Sequence, residues 1–293
     1  MRGVSYVRGD ILDYEDLRAA MEGCYAVFHL AAVLGVARCQ GDERLVRAVN
    51  GLGTANVAAA VESVESVLSV TAVSSSEVYG ESQEELLTED SPLRPLSLYG
   101  TLKVSLEERF SSLAMPTRQV TILRPFNVYG PGQRDSFVVS RFCQSIVRGD
   151  PVPVLGDGTQ TRTFTYVDDF VNGTLAAFSH GLSRQGGLAT FNIAGDHTVS
   201  VLRLAELLAE LSGHPLRLAR GLDRPEDLGR RSTEEIHDRR PSIDLARRVL
   251  GYAPETSLVK GLATTLAWHR AAGPVGPRLA PGLRPPSAAD ALN

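Results

Sequence analysis

The sequence predicts an α/β fold in which helices cover both faces of a doubly wound parallel sheet. Short apolar segments alternate with longer segments of helical periodicity through much of the 293 residues, and this alternation is typical of parallel sheets. Hydrophobic residues make up 43% of the chain and charged residues 22%, as in ordinary globular proteins. Because the chain is longer than an average domain, we expect a second, smaller lobe towards the C-terminus.

The elements follow in order along the chain. Strands are predicted at 4–8, 26–30, 67–73, 119–123 and 190–193. Helices are predicted at 13–21, 42–64, 99–114, 137–147 and 167–178, and after residue 200. Asp13, Asp168 and Ser200 are the residue types that cap helix N-termini. Gly51 and Gly53 fall inside the second helix, where glycine costs stability unless a neighbouring group packs closely.

Composition excludes several classes of function. A net charge of −4 gives no reason to expect nucleic acid or an anionic membrane as partner. Cys24, Cys39 and Cys143 form no C-x-x-C pair, and the six histidines show no metal-ligand spacing, so we expect no metal. We find no signal-peptide pattern and no apolar segment of about 18 residues. The expectation is a cytoplasmic protein that spans no membrane.

The candidate chemistry begins with Tyr99 and Lys103. They are four residues apart, which places both on one face of a helix. A nearby ammonium favours the phenolate, so such a tyrosine is suited to moving a proton. The chain has eight tyrosines but only two lysines, Lys103 and Lys260, so chance gives this spacing roughly 0.05 times.

A second group of polar side chains follows the strand predicted at 67–73. Ser74, Ser75, Ser76 and Glu77 come directly after it, and the carboxyl ends of parallel strands are where α/β proteins present functional residues. With the tyrosine and lysine they supply a hydroxyl donor, a base and a cation, which suits the removal of a proton from an alcohol during oxidation. The alternative for Tyr99 and Lys103 is that they are neighbours on a solvated helix face and take no part in catalysis.

Eight segments carry a family resemblance. They are V-R-G-D-I-L-D (7–13), V-F-H-L-A-A (27–32), N-G-L-G-T-A-N-V (50–57), S-S-S-E-V-Y-G (74–80), Y-G-T-L-K (99–103), L-R-P-F-N-V-Y-G-P-G-Q (123–133), G-D-G-T-Q-T-R-T-F-T-Y-V-D-D (156–169) and R-R-P-S-I (239–243). With this series the chain resembles an extended short-chain dehydrogenase/reductase of the sugar-nucleotide epimerase, dehydratase and decarboxylase group.

The resemblance implies a cofactor and catalytic roles. Tyr99 would take the proton of the sugar 4-hydroxyl while hydride leaves C4, and Ser75 would hydrogen-bond the same 4-oxygen. Lys103 would lower the pKa of Tyr99 and bind the nicotinamide ribose. The implied cofactor is NAD, in preference to NADP. Besides Tyr99 and Lys103, its implied contacts are Asp10, Ile11, Leu30, Ala31, Ala32, Asn50, Ser74 and Pro125.

The resemblance also implies a UDP- or dTDP-linked sugar as substrate. Asn127 would contact the diphosphate and Arg162 the nucleotide, while Arg224 and Asp227 would hold phosphate and ribose, for which the planar donors of arginine are suited. Other interpretations are open: Asp10 as a turn residue, Asn127 as a strand-end turn cap, and Arg162 as the partner of nearby aspartates.

The reaction depends on the fate of the 4-keto sugar that the common oxidation at C4 produces. Dehydratases of the dTDP-glucose type have Asp-Glu where this chain has Ser76 and Glu77. These two residues and Arg239 match the Ser, Glu and Arg of UDP-glucuronate decarboxylases, which act on a β-keto acid. The same serine-rich segment occurs in 4-epimerases, and an Arg-Pro sequence is also common where helices start. We therefore expect a 4-epimerase or a UDP-glucuronate decarboxylase ahead of a 4,6-dehydratase.

One part of the family pattern is not found. No G-x-x-G-x-x-G or G-x-G-x-x-G turn, which would hold the dinucleotide pyrophosphate, follows an opening strand. The segment 4–8 resembles the third strand of the family, so we expect a Rossmann-like fold that is N-terminally truncated. Three explanations are open: a truncated version of a complete enzyme, a βαβ unit supplied by another chain, and a non-catalytic relic that acts as an interaction protein.

The implied domain organisation has two lobes. Residues 1–135, with 163–194 returning, would form the dinucleotide-binding domain, and 136–162 with 195–272 the substrate-binding lobe. Residues 273–293 are rich in proline and glycine, and we expect them to be a disordered tail. The implied assembly is a homodimer through helices 42–64 and 99–114.

Overall fold

The structure, a computed structural model, describes residues 3–34, 39, 41–82, 84–183, 186–219, 222 and 236–272. Arg224, Asp227 and the tail predicted at 273–293 lie outside the described residues. The described helices are α1 (Tyr14–Met21), α2 (Glu43–Val46), α3 (Thr54–Ser63), α4 (Leu98–Ser111), α5 (Val138–Arg148), α6 (Val167–Leu182), α7 (Val201–Ser212), α8 (Asp244–Leu250) and α9 (Leu258–Ala272). The strands are β1 (Ala26–His29), β2 (Ser69–Val73), β3 (Gln119–Pro125), β4 (Val128–Tyr129), β5 (Thr161–Thr163), β6 (Thr165–Tyr166), β7 (Gly187–Ile193) and β8 (Thr198–Ser200).

The main sheet has four parallel strands in the order β1-β2-β3-β7. On one face, Val61 of α3 and Phe110 of α4 pack with Val70 and Ile122 of the sheet. On the other face, α6 and α8 pack against β3 and β7. Helices therefore cover both faces of a parallel sheet, and the predicted fold class is confirmed.

A separate core lies beside the carboxyl end of β3. It joins Phe142 of α5, Leu204 and Leu208 of α7 and Leu262 of α9 with Tyr129 of β4. The short strands β4 and β6 run parallel, and β5 pairs antiparallel with β8. These elements close one side of the space above the main sheet.

Local capping explains where several helices begin. The Asp13 carboxylate accepts hydrogen bonds from the first turn of α1, and Ser200 caps α7, as predicted. The predicted Asp168 cap is wrong, because α6 begins at Val167 and places Asp168 inside its first turn, where a negative charge suits the helix dipole. The long helix predicted at 42–64 is interrupted by a π-helical segment at Arg47–Gly53.

The strand predicted at 4–8 is also wrong. Tyr6 and Val7 are 81% and 79% exposed, and no described residue pairs with this segment. A strand needs a neighbour to accept its backbone hydrogen bonds, and alternation of side chains alone does not supply one.

Three other features concern membrane spans, metal sites and cysteines. None of the helices in the described residues has the combination of length and apolar composition that crossing a bilayer requires. The part of the chain that the structure describes contains no group of three His, Cys, Asp or Glu side chains placed to hold a metal ion. The three cysteines are free thiols.

Candidate active site

A cavity of about 330 Å³ opens at the carboxyl ends of β1, β2 and β3. This edge is where parallel α/β sheets bind ligands. Most of the residues predicted from the sequence line it. They are Leu30, Ala32, Ser74, Ser75, Ser76, Glu77, Tyr99, Lys103, Pro125, Asn127 and Arg239.

The first turn of α4 packs directly on a short 3-10 helix, Ser76–Tyr79, which follows β2. Ser97 caps α4 by accepting a hydrogen bond from the Gly100 backbone N–H at 3.0 Å. A Cβ atom on Gly100 would lie 2.8 Å from the Glu77 carbonyl oxygen, so only glycine allows this approach. The contact places Tyr99, the residue before it, against Ser75 at the start of the 3-10 helix.

Burial controls the proton affinities of Tyr99 and Lys103. Burial raises the pKa of the Tyr99 phenol, and a hydrogen bond with Ser75 opposes this rise. Lys103 is 4% exposed, and its Nζ donates to the Val73 carbonyl oxygen at 2.7 Å. Burial lowers the pKa of Lys103 to about 8, and Glu107 opposes the fall. Burial is the largest influence on the pKa of Tyr99 and its net direction is upward, so the lowering of this pKa by Lys103 stays a prediction.

Arg239 brings a buried cation to the cavity wall. It is 3% exposed, and its Nη1 donates to Ser76 Oγ at 3.1 Å and to Glu77 Oε1 at 2.8 Å. Its Nε is buried without a hydrogen-bond partner among the described atoms. α8 begins only at Asp244, so the alternative of a helix-start pattern does not describe Arg239. Ser76, Glu77 and Arg239 therefore meet, although more than 160 residues separate them in sequence.

Asn127 connects the main sheet with the second core. It has a φ of 38°, in the left-handed region that asparagine tolerates better than most residues. Its Nδ2 donates to the Thr163 carbonyl oxygen at 2.9 Å. The residue therefore lines the cavity and also holds a strand-end turn, so the structure accommodates both interpretations of it.

Asn50 and Ala31 were predicted as cofactor contacts but do not line the cavity. The Asn50 side chain is buried and makes two bonds with the backbone of Val33: Oδ1 accepts from its N–H at 2.7 Å and Nδ2 donates to its carbonyl at 3.0 Å. Asn50 thus fixes the segment after β1. Ala31 is exposed within that segment.

Asp10, Ile11 and Arg162 also lie outside the cavity lining. The Asp10 carboxylate accepts from the backbone N–H of the residue two positions on, which is the behaviour of a turn residue. Ile11 packs against Gly53, because a Cβ atom on residue 53 would lie only 2.5 Å from the Ile11 Cδ1 atom. Arg162, on β5, donates through Nη1 to the backbone carbonyls of Thr161 and His237.

Sequence reasoning gave no role to a buried polar network below the cavity. Arg124 forms a bidentate ion pair with Glu107 and also donates to the Tyr79 hydroxyl at 2.9 Å. Tyr79 in turn donates to Asn192 on β7 at 2.7 Å. One signal was available: Glu107 follows Lys103 by four residues, as Lys103 follows Tyr99.

His29 is a second buried group without a predicted role. It lies at the end of β1, is 4% exposed, and its Nε2 is 3.3 Å from Thr54 Oγ1. Burial, with a smaller effect from the Lys103 charge, lowers the pKa of His29 to about 4. The imidazole is therefore neutral at physiological pH.

Comparison with known proteins decides the family. The model of the NAD dependent epimerase/dehydratase family matches residues 2–194. The chain belongs to this family. The resemblance inferred from the eight segments is thereby confirmed, and the related proteins are enzymes.

Relatives in the epimerase/dehydratase family differ in the reaction that their names give. A dTDP-glucose 4,6-dehydratase of Streptomyces griseus is 36% identical over 269 residues, which is 90% of this chain and 77% of that protein. A UDP-N-acetyl-alpha-D-glucosaminuronate decarboxylase of Bacillus cytotoxicus is 30% identical over 268 residues, covering 89% and 81%. MoeE5, solved with NAD and either UDP-glucose or UDP-glucuronic acid, is 33% identical, with a TM-score of 0.80 over 91% of this chain and 85% of its own.

Proposed function

We propose that the protein is an NAD-dependent decarboxylase of a UDP-linked hexuronate, with UDP-glucuronate as the first substrate to test. The observation that carries the proposal is the buried contact of Arg239 with Ser76 and Glu77 on the cavity wall. A guanidinium with planar donors suits a carboxylate. The relative that acts on a glucosaminuronate and the MoeE5 complex with UDP-glucuronic acid support the same substrate class.

The cavity suits the nicotinamide end of NAD. Leu30, Ala32 and Pro125 give it apolar walls for a flat ring, and the buried Lys103 ammonium beside Ser74 suits the ribose hydroxyls. When bound, NAD supplies the oxidising power by accepting hydride from C4 of the sugar. NAD is also the cofactor in the MoeE5 complexes.

The chain's own residues handle the proton of the 4-hydroxyl. Tyr99 accepts this proton, and Ser75, its hydrogen-bond partner, holds the 4-oxygen. Because burial raises the pKa of Tyr99, the phenolate requires a nearby positive charge. The Lys103 Nζ lies 5.8 Å from the centroid of the Tyr99 ring and is the cation that we assign to this task.

Decarboxylation then uses the ketone at C4. The C5–C6 bond breaks, its electron pair passes into the C4 carbonyl as an enolate, and C6 leaves as CO₂. C5 afterwards takes a proton from water, which leaves hydroxide. Return of the hydride to C4 and of the Tyr99 proton to the 4-oxygen then gives a UDP-linked pentose, so that atoms, electrons and charge balance. The site favours this outcome because Arg239 offers N–H donors that orient the sugar carboxylate, while Glu77 offsets part of the charge that would hold it in place.

A 4-epimerase of the same uronate is the second candidate. The 4-oxidation uses the same tyrosine, serine and lysine, and the buried Arg239 Nε without a partner could hold the carboxylate in place instead of releasing it. A 4,6-dehydratase is less favoured, because a serine at position 76 has no acidic proton to give to a leaving hydroxyl.

Product analysis tests these reactions. The protein is incubated with NAD and, separately, UDP-glucuronate, UDP-glucose and dTDP-glucose, and products are identified by mass spectrometry and NMR. We expect CO₂ from UDP-glucuronate alone. UDP-galacturonate without CO₂ would establish the epimerase, a 4-keto-6-deoxy sugar the dehydratase, and no turnover would refute the catalytic proposal.

A matched pair of arginine variants tests the site. Arg239→Gln is expected to lower kcat/KM for UDP-glucuronate about 10- to 150-fold, from the 1.5–3 kcal/mol of a hydrogen bond to a charged group. The neighbouring Arg240 is exposed, so Arg240→Gln serves as control and should keep wild-type values. Equal effects of the two substitutions would argue against a carboxylate at Arg239.

We also propose that the protein is a homodimer through α2, α3 and α4. These helices lie side by side, with Gly51 next to Leu102, and Leu52 between them is 57% exposed. Sedimentation velocity tests the assembly, and Leu52→Glu is expected to convert a dimer to a monomer. A wild-type protein that sediments as a monomer at micromolar concentration would contradict it.

A further inference from the structure

Glu107 is a buried carboxylate in direct line with the proposed catalytic residues. It follows Tyr99 and Lys103 at successive intervals of four residues on α4, so the three share one face of the helix. Glu107 is 5% exposed. Its Oε1 accepts a hydrogen bond of 2.5 Å from Ser74 Oγ, at the carboxyl end of β2. One side chain therefore links the helix that carries Tyr99 with the strand end that carries the serines.

Arg124 fixes this carboxylate in position through a bidentate ion pair. Its Nε donates to Glu107 Oε1 at 2.9 Å and its Nη2 to Oε2 at 2.6 Å. Its Nη1 donates to the Tyr79 hydroxyl and to the Glu89 carbonyl oxygen, each at 2.9 Å. An arginine bound on all three nitrogens is fixed in position, and a bidentate pair is the strongest form of this contact.

Several charged groups face Lys103 from the elements around it. Glu107 lies one turn further along its own helix, His29 approaches from β1, and Arg124 lies behind Glu107 on β3. Glu77 and Arg239 line the same cavity as Lys103. His29 is neutral above about pH 4, so it adds no charge near neutrality. Glu107 opposes the effect of burial and raises the pKa of Lys103.

We propose that Glu107 is a positioning residue of the reaction: clamped by Arg124, its carboxylate fixes Ser74 and keeps the Lys103 ammonium charged beside Tyr99. The role in the reaction rests on the proposed 4-oxidation, whereas the effect on Lys103 does not. A purely structural ion pair would leave the pH dependence of kcat unchanged, whereas a positioning role moves it together with the titration of the lysine. The titration and the pH dependence of kcat together therefore separate the two possibilities.

The lysine content of the chain makes the measurement direct. Lys103 and Lys260 are the only lysines, so protein labelled with ¹³C at the lysine ε-carbon gives two side-chain signals. Lys260 is exposed on α9 and provides the internal reference. Lys103→Arg assigns the two signals. The pH midpoint of the Lys103 signal is then followed in each variant.

Glu107→Gln is expected to move the Lys103 midpoint from about 8 to lower pH by about one pH unit or more. Glu107→Asp, which keeps the charge, should stay closer to the wild-type value. Glu108 is exposed on the same helix, so Glu108→Gln is the matched control and should leave the midpoint unchanged. A midpoint that is the same in wild type and Glu107→Gln would overturn the proposal.

A second variant keeps the test decisive if Glu107→Gln does not fold. Removing one partner of a buried ion pair costs about 3–5 kcal/mol, so Glu107→Gln could unfold. The double variant Glu107→Gln/Arg124→Gln leaves no unpaired guanidinium. Because the pKa of Lys103 responds to Glu107 and not to Arg124, this variant should still show the lowered Lys103 midpoint. If the wild type is active, the pH above which kcat falls should be lower in the variant, in step with the lowered Lys103 midpoint. A pH limit that does not move would overturn the positioning role. If wild type turns over no sugar nucleotide, the proposed function fails while the titration still decides the role of Glu107 towards Lys103.

Discussion

Lowering the pH from 6.5 to 4 is expected to destabilise the protein through His29. The pKa of this residue falls from its ordinary 6.5 to about 4 in the folded state, chiefly because of burial. Between these pH values the unfolded chain therefore binds more protons than the folded one, so stability rises with pH across the window and is lost as the pH falls. The test is therefore to lower the pH of the wild type and of a variant that lacks His29.

The size of the effect follows from the two pKa values. Each pH unit between them corresponds to about 1.4 kcal/mol. The loss attributable to His29 is therefore about 3 kcal/mol by pH 4. This is a large share of the 5–15 kcal/mol by which native proteins are typically stable.

Urea unfolding, followed by circular dichroism at a series of pH values, measures this loss of stability. Carboxylates also titrate in this range, so the quantity to compare is the difference in pH dependence between wild type and His29→Gln. The variant should lose less stability between pH 6.5 and 4, by about 3 kcal/mol. His197 is exposed, and His197→Gln should follow the wild-type curve. Parallel curves for wild type and His29→Gln would refute the reasoning.

Three further predictions concern the active site. Tyr99→Phe should abolish turnover of any sugar nucleotide while leaving the circular dichroism spectrum unchanged. Tyr25→Phe, at an exposed position, is the control and should be active. Turnover by Tyr99→Phe would remove Tyr99 from the mechanism. Gly100→Ala should cost about 1–3 kcal/mol of stability and lower kcat at least tenfold, because its Cβ would displace the Glu77 backbone from the start of α4; a wild-type kcat would show that this contact does not place Tyr99. The kcat of the wild type should decline above about pH 8 as Lys103 loses its proton, and a rate that is flat to pH 10 would contradict the role of the ammonium.

Local sequence was sufficient wherever an element is specified by its own residues. Asp13 and Ser200 have side chains that bond their own helix N-termini, so their positions could be predicted without knowledge of the neighbours. Tyr99 and Lys103 share a helix face for the same reason. The serines after β2 reached the cavity because the carboxyl ends of parallel strands lie at one edge of a sheet.

Predictions failed where the outcome depends on a partner distant in sequence. The alternation of residues 4–8 is suited to a strand, but in the described structure no strand lies beside it. Asn50 was assigned to the cofactor from a family pattern, which stays a prediction, and its bonds to both backbone groups of Val33 were not foreseen because Val33 is 17 residues away. The π-helical segment at Arg47–Gly53 likewise has no local signal beyond its two glycines, one of which makes room for Ile11.

The same dependence explains why the floor of the cavity was missed. Glu107 and Arg124 are 17 residues apart, and no periodic pattern indicates that they pair. Their contact requires α4 to lie across the end of β3, which only the assembled sheet provides. By contrast, Arg239 and Glu77 were assigned to one reaction through the family resemblance, because the motif on each side was recognisable by itself.

The two buried bases together define the pH range in which the proposed chemistry can operate. Lys103 carries its charge below about pH 8 and His29 is neutral above about pH 4. Within that range the charged Lys103 Nζ lies 5.8 Å from the centroid of the Tyr99 ring, and Arg124 and Glu107 offset each other as an ion pair. The Lys103 charge favours the phenolate, whereas burial and the Glu77 carboxylate oppose it. Protonating His29 would add a third cation next to Lys103, and since like charges disfavour one another, the ammonium would lose its proton more readily. A neutral His29 and the Glu107 carboxylate therefore serve the same end, because each favours the charged form of the buried Lys103.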